Sequence, residues 1–140
     1  MERYLLDTNI LVFLVSGEEE NIFKDVHNIL SDYSNQINTS SIAVAELLQL
    51  FRIGKLNVVK YKTATEIIHT IENELLISIL PFSKEHIKTL AKLSIASGHN
   101  DPFDHSIISQ AITEKLTLVS SDRQFENYTK QKLKFVFNKR

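Results

Sequence analysis

Short strand-like segments of four or five residues recur along this chain, mostly apolar at residues 3–6, 77–80, 116–119 and 133–137 and more polar at 36–39. Each is too short for a stable helix, and longer stretches with apolar residues at helical spacing separate them. Such alternation restricts a chain to α/β architectures, in which short strands form a mostly parallel sheet covered by helices. The helical stretches begin at capping signals. Thr8 starts one that reaches Val15, Asn21 one reaching Tyr33, Ser40 or Ser41 one closed by Gly54, Ser83 one covering 84–96, and Asp101-Pro102 the last. A further amphipathic stretch covers 62–75. The expectation is an α/β domain over residues 1–140 with about five short strands.

Against that pattern, four acids stand out: Asp7 in LLDTNIL, Glu46 in SSIAVAELL, Asp104 in HNDPFDHSII and Asp122 in LVSSDRQF. A soluble domain ordinarily keeps carboxylates on its wet surface. Asp7 and Asp122 instead follow strands, at the carboxyl ends where open parallel sheets bind ligands. Asp7 could serve as a helix cap, but Thr8 and Asn9 could cap equally well, so capping alone does not demand an acid. Glu46 lies five residues after Ser41, outside the capping-box position, and among Ala43, Val44, Ala45, Leu47 and Leu48. An unpaired carboxylate is costly there. Asp101 and Asp104 also fit a well-capped helix start, and Asp122 fits a turn.

Two carboxylates about 4 Å apart repel by roughly 4 kcal/mol at an effective dielectric of about 20. The first three motifs contain no Lys or Arg, and Arg123 alone adjoins the fourth. A cluster of these acids would therefore have raised pKa values or bind a hard divalent cation. All-oxygen ligation suits Mg²⁺ or Mn²⁺, whose chemistry on phosphate oxygens is metal-assisted phosphodiester cleavage.

Composition narrows the alternatives. The absence of cysteine excludes thiol catalysis, Cys-based zinc sites and a disulfide scaffold. The apolar stretch from Leu5 to Val15 is interrupted by Asp7 and Asn9 and lacks an export cleavage signal; no run reaches the ~20 residues of a membrane span. A cytoplasmic protein with no membrane partner is expected. The net charge of −1 gives no global attraction for nucleic acid. Arg52, Lys55, Lys60 and Lys62, and again Lys130, Lys132, Lys134, Lys139 and Arg140, are either ordinary solvated surface or a local phosphate-binding rim.

Taken in order, LLDTNILVFL, Ser41 with Glu46, HNDPFDHSIISQA and LVSSDRQF resemble the PIN-domain ribonucleases, in particular VapC-type toxins of toxin–antitoxin systems. The resemblance implies a PIN-like α/β/α sandwich and a catalytic set of Asp7, Glu46, Asp104 and Asp122. Mg²⁺ or Mn²⁺ would sit most directly on Asp7 and Asp104. Asp101 would orient the loop or outer waters, while Thr8 and Ser120 would hold carboxylates or waters in place. RNA as substrate, a homodimer and a cognate antitoxin protein are also implied. One departure is His105, where the family often carries Arg; His at that place would meet a carboxylate or RNA only in part. His99, in the preceding loop, is read as an ordinary neutral histidine.

Two other functions compete. A phosphatase or phosphotransfer domain also places Asp after its first strand, but the acid wanted two residues on is Asn9 here. A non-catalytic PIN-fold module that binds RNA or protein would have no need of four mutually repelling charges. Phe51, Phe82, Phe103 and Phe125 lie in or beside apolar runs and are read mostly as core rather than base-stacking residues.

Overall fold

A computed structural model of the chain describes residues 2–56, 58 and 60–139. Five strands form one all-parallel sheet: β1 (Arg3–Leu6), β2 (Gln36–Ser40), β3 (Ser78–Leu80), β4 (Thr117–Ser120) and β5 (Lys134–Phe137), in the order β3-β2-β1-β4-β5. Six α-helices join them among the described residues: α1 (Thr8–Val15), α2 (Lys24–Ser31), α3 (Ser41–Arg52), α4 (Ala64–His69), α5 (Lys84–Lys92) and α6 (Pro102–Glu114). The expected α/β fold class is thus observed.

Burial explains why the central strands read as continuous apolar runs. Successive strand residues point to opposite faces, yet Leu5 and Leu6 are both 0% exposed. Both faces of β1 are therefore covered by helices, as parallel sheets require. Leu118 and Val119 repeat this in β4, and Ile107, Ile108 and Ala111 of α6 join the same core. Burying each such side chain contributes roughly 1.5–3 kcal/mol.

The helices depart from expectation where tertiary contacts compete with periodicity. Residues 19–21 form a 3₁₀ turn and α2 begins only at Lys24. It ends at Ser31 because Asp32 Oδ1 accepts from the backbone N–H and hydroxyl of Ser34, at 3.0 and 2.7 Å, which favours a turn. Tyr33, placed by periodicity on the inward stripe, is 95% exposed as a result. On α3, whose largely apolar circumference predicts heavy burial, Ala43, Val44 and Leu47 are buried while Ala45 faces solvent. The stretch 62–75 begins at a Thr63 cap and passes from α4 into a π-helical turn over Thr70–Glu74.

The correction that matters most for function concerns α5. It stops at Lys92 rather than Ala96, since backbone groups beyond it find other partners. Ser94 exchanges two hydrogen bonds with the Gln131 amide, both 2.9 Å, and the Ala96 N–H donates to the Tyr128 hydroxyl at 3.1 Å. Residues 93–100 become a loop tied to the 3₁₀ turns of Arg123–Gln131, and that loop carries His99.

Candidate active site

The strand order reverses between β1 and β4: from β1 the chain next builds outward through β2 and β3, then returns to β4 on the other side. Ligand crevices in open α/β sheets form at such a switch point, beyond the strand carboxyl ends. The Asp7 N–H donates to Val119 O at 2.9 Å, extending the β1–β4 ladder by one bond and setting Asp7 beside Ser120. Asp7 is also the cap of α1, with Oδ1 accepting from the Thr8 N–H at 2.8 Å, so the capping role expected of Thr8 belongs to Asp7.

Around Asp7 the polar groups form a closed network. The Ser120 hydroxyl donates to Asp7 Oδ2 at 2.7 Å and accepts from the Asp122 N–H at 3.0 Å and from Asn9 Nδ2 at 3.2 Å. Asn9 Nδ2 also reaches Asp7 Oδ2 at 3.2 Å, and its Oδ1 accepts from the Ser121 N–H. Asp122 caps the following 3₁₀ turn through Oδ1 and the Gln124 N–H at 2.9 Å. Glu46, half-buried on α3, accepts the Thr8 hydroxyl at 2.6 Å.

Asp101 caps α6 by accepting from the Phe103 N–H at 2.9 Å, which sets Asp104 on the first helical turn. Asp104 Oδ2 lies 2.9 Å from His99 Nε2. Ligand atoms of His99, Asp104 and Asp122 fall within 4.8 Å of one another. All four acids singled out from the sequence, with Asp101, line one cleft of about 400 Å³ whose walls include Thr8, Asn9, Val12, Phe13 and Leu50. Among the described residues no Lys or Arg lines it.

That arrangement carries an electrostatic signature. Burial pushes the Asp7 carboxyl up to about 7, with the Asp104 and Glu46 charges adding to the rise while the Ser120 hydroxyl and Thr8 amide oppose it. Asp104 is raised as well, first by burial and then by Asp101 and Asp122, against the stabilising His99 contact. Sites built to shift acids in this way are candidates for chemistry.

The sequence model of the PIN domain matches residues 4–131. This chain belongs to the PIN domain family. No curated protein sequence matches it. Among solved structures, this PIN domain is similar to VapBC2 from Rickettsia felis, bound to a DNA fragment from its promoter: 23% identity, 98% of this chain and 99% of the other, TM-score 0.68. DNA-bound VapBC from Salmonella typhimurium gives 19% identity over 98% of both chains at a TM-score of 0.69. VapBC-5 from Mycobacterium tuberculosis gives 18% identity, 98% and 99% coverage, and a TM-score of 0.61. At these identities the similarity is one of fold.

Within this PIN domain, other sequence expectations have mixed outcomes. His105 is buried and its Nε2 donates to the His99 carbonyl at 2.8 Å, so it pins the loop and meets neither a carboxylate nor the cleft. His99 is not an ordinary loop histidine: it is 3% exposed and joined to Asp104 and Tyr128. Asn9 also belongs to the site, beyond the residues expected from the sequence. Its signal was position, two residues after the strand-end acid. Phe125 is fully buried and Phe51 and Phe82 half-buried, whereas Phe103 is 50% exposed beside Asp104. Of the basic residues, Lys60 pairs with Glu74 at 3.8 Å, away from the acids. Arg123 follows Asp122 and lies 4.2 Å over the Phe137 ring, which is in register with Ser120. Arg140 of the C-terminal cluster lies outside the described residues. Among the described residues no helix is long and apolar enough to cross a membrane.

Proposed function

We propose that residues 1–140 act as a single PIN domain with metal-dependent endoribonuclease activity, a VapC-type toxin of the cytoplasm. The observation that carries this reading is the convergence of Asp7, Glu46, Asp104 and Asp122 on one cleft lined by no cation. A partly buried carboxylate network without Lys or Arg suits a hard divalent ion such as Mg²⁺ or Mn²⁺, and the donors are oxygens throughout apart from His99. Asp7 and Asp104 would hold it, with Glu46 and Asp122 completing the acidic wall. When bound, such an ion lowers the pKa of water and stabilises charge on phosphate oxygens.

The chain's own groups have separable tasks. Ser120 and Asn9 hold Asp7 Oδ2, the Thr8 hydroxyl orients Glu46, and Asp101 starts the helix that presents Asp104. Arg123, exposed next to Asp122, supports a role in meeting the RNA backbone, and half-exposed Phe103 offers a face for a base. A cognate antitoxin protein is part of the proposal, supported by the shared fold with VapBC-5, a member of a toxin–antitoxin family; a homodimer is proposed with it.

The test is cleavage of a quenched-fluorophore RNA with Mn²⁺ or Mg²⁺. Cleavage should stop with EDTA and in Asp104→Asn while the variant stays folded. Binding of RNA without cleavage under every metal condition would favour a non-catalytic module, and cleavage unaffected by chelation would exclude the metal.

A further inference from the structure

His99 is buried deeper than Asp104, and both its ring nitrogens are engaged. Nε2 lies 2.9 Å from Asp104 Oδ2 and Nδ1 lies 2.7 Å from the Tyr128 hydroxyl, which also accepts the Ala96 N–H at 3.1 Å. An ionised carboxylate can only accept, so a neutral ring facing ionised Asp104 must carry its hydrogen on Nε2. Nδ1 is then the acceptor, and the Tyr128 hydroxyl must donate to it. The result is a chain of donors in one direction, Ala96 N–H to Tyr128 to His99 to Asp104, in which each bond polarises the next.

Packing removes the ring's remaining freedom. His99 meets His105 edge-on at 5.0 Å and 84°, Tyr128 at 5.4 Å and 63°, and Phe125 at 5.9 Å and 57°. Phe125 and Tyr128 are both 0% exposed. His105 holds the His99 carbonyl from the other side at 2.8 Å. An imidazole fixed by its backbone, both nitrogens and its faces is a rigid hydrogen-bond donor aimed at one oxygen.

We propose that His99, held as the Nε2–H tautomer between Asp104 Oδ2 and the Tyr128 hydroxyl, is a positioning residue that fixes Asp104 Oδ2 and thereby leaves Oδ1 available to an ion bound in the cleft. The inference rests on the reading of Asp104 as a metal-facing acid. Partners that orient a ligating side chain typically change metal affinity by roughly 10–100-fold when removed. His99 acts through Asp104 and touches no substrate atom in this scheme.

Two measurements test it, one with metal and one without. In the metal-free protein, nitrogen NMR of the imidazole should show His99 as the Nε2–H tautomer, and it should stay so in Tyr128→Phe because the Asp104 carboxylate still accepts from Nε2. A Nδ1–H tautomer in the wild type would overturn the proposal. Titration with Mn²⁺ followed by electron paramagnetic resonance should show binding weakened about 10–100-fold in His99→Ala. His99→Gln, whose amide N–H reaches as far as Nε2, should recover affinity to within about threefold, the mark of an orienting donor rather than a ligand. Folded His99→Ala protein with wild-type Mn²⁺ affinity would sink the idea. So would His99→Gln as weak as His99→Ala, which would assign the ring to direct ligation or to packing. If the wild type itself bound no Mn²⁺, the metal reading would fall. Positioning would then be decided by the Asp104 carboxyl carbon resonance, which should move in His99→Ala and stay in place in His99→Gln.

Discussion

The Thr8 hydroxyl and the Glu46 carboxylate, 38 residues apart in sequence, meet at 2.6 Å and tie the first turn of α1 to the middle of α3. Thr8 is itself largely buried, so little water reaches the donor to replace its partner. Thr8→Val keeps the shape and removes the bond. It should cost about 1–3 kcal/mol of stability and lower Mn²⁺ affinity or RNA cleavage about tenfold, with Thr8→Ser restoring both. Denaturant unfolding and metal titration of the pair of variants check this. Equal losses in Val and Ser would point to packing instead.

Asp7 makes the metal-free protein sensitive to pH. Its folded pKa of about 7 exceeds the ordinary 3.8, so between those values the native state holds a proton that the unfolded chain releases. Stability therefore falls as pH rises from about 4 to about 7, and the full penalty, on the order of 4 kcal/mol, persists above that range. Asp104 acts in the same direction. Asp7→Asn should flatten this slope and raise stability at pH 8 in EDTA by about 1–3 kcal/mol. That is less than the whole penalty, because an amide has one acceptor oxygen and cannot serve both the Thr8 N–H on one side and the Ser120 and Asn9 donors on the other. It should abolish cleavage. Thermal melts across pH with EDTA test the sign, and a variant less stable at pH 8 would contradict it.

A bound ion should offset much of that penalty. At a Mn²⁺ concentration about 100 times its dissociation constant, linkage adds roughly 2.7 kcal/mol, which for a chain of this length is on the order of 10 °C in Tm. Asp104→Asn should lose most of the shift. The Mn²⁺ effect should also fade below pH 7, where Asp7 takes up a proton in competition with metal. Differential scanning fluorimetry with and without EDTA measures both.

Arg123 offers a test of the substrate path. Arg123→Glu should leave Mn²⁺ binding within about twofold, weaken binding of single-stranded RNA and reduce its log–log salt slope by roughly 0.7 per lost phosphate contact. Fluorescence anisotropy over a range of KCl concentrations reads the slope. An unchanged slope would remove Arg123 from the path.

Asn138 predicts stability rather than chemistry. Its fully buried amide accepts from the Phe23 N–H at 2.7 Å and donates to Asn21 O and to the Ser121 hydroxyl, both at 2.8 Å. Asn138→Ala strands all three partners. It should cost about 2–4 kcal/mol, measured by urea unfolding, and loosen the segment that leads from Ser120 to Asp122.

Read by itself, the chain determined the α/β class and the five strands to within a residue at each end, and it singled out four strand-end and helix-borne acids, because these readings depend on local periodicity, capping and the cost of placing charge in apolar company. Helix ends were less legible. Asp32 with Ser34, and Tyr128 with Ala96, offered backbone groups partners that no helical pattern encodes. Which hydroxyl serves which carboxylate, and the conversion of His99 from a loop residue into the buried partner of Asp104, were decided by tertiary structure alone. They join residues brought together by sheet order and by the turns after β4, and a hydrogen bond between distant segments leaves no period in the sequence of either one.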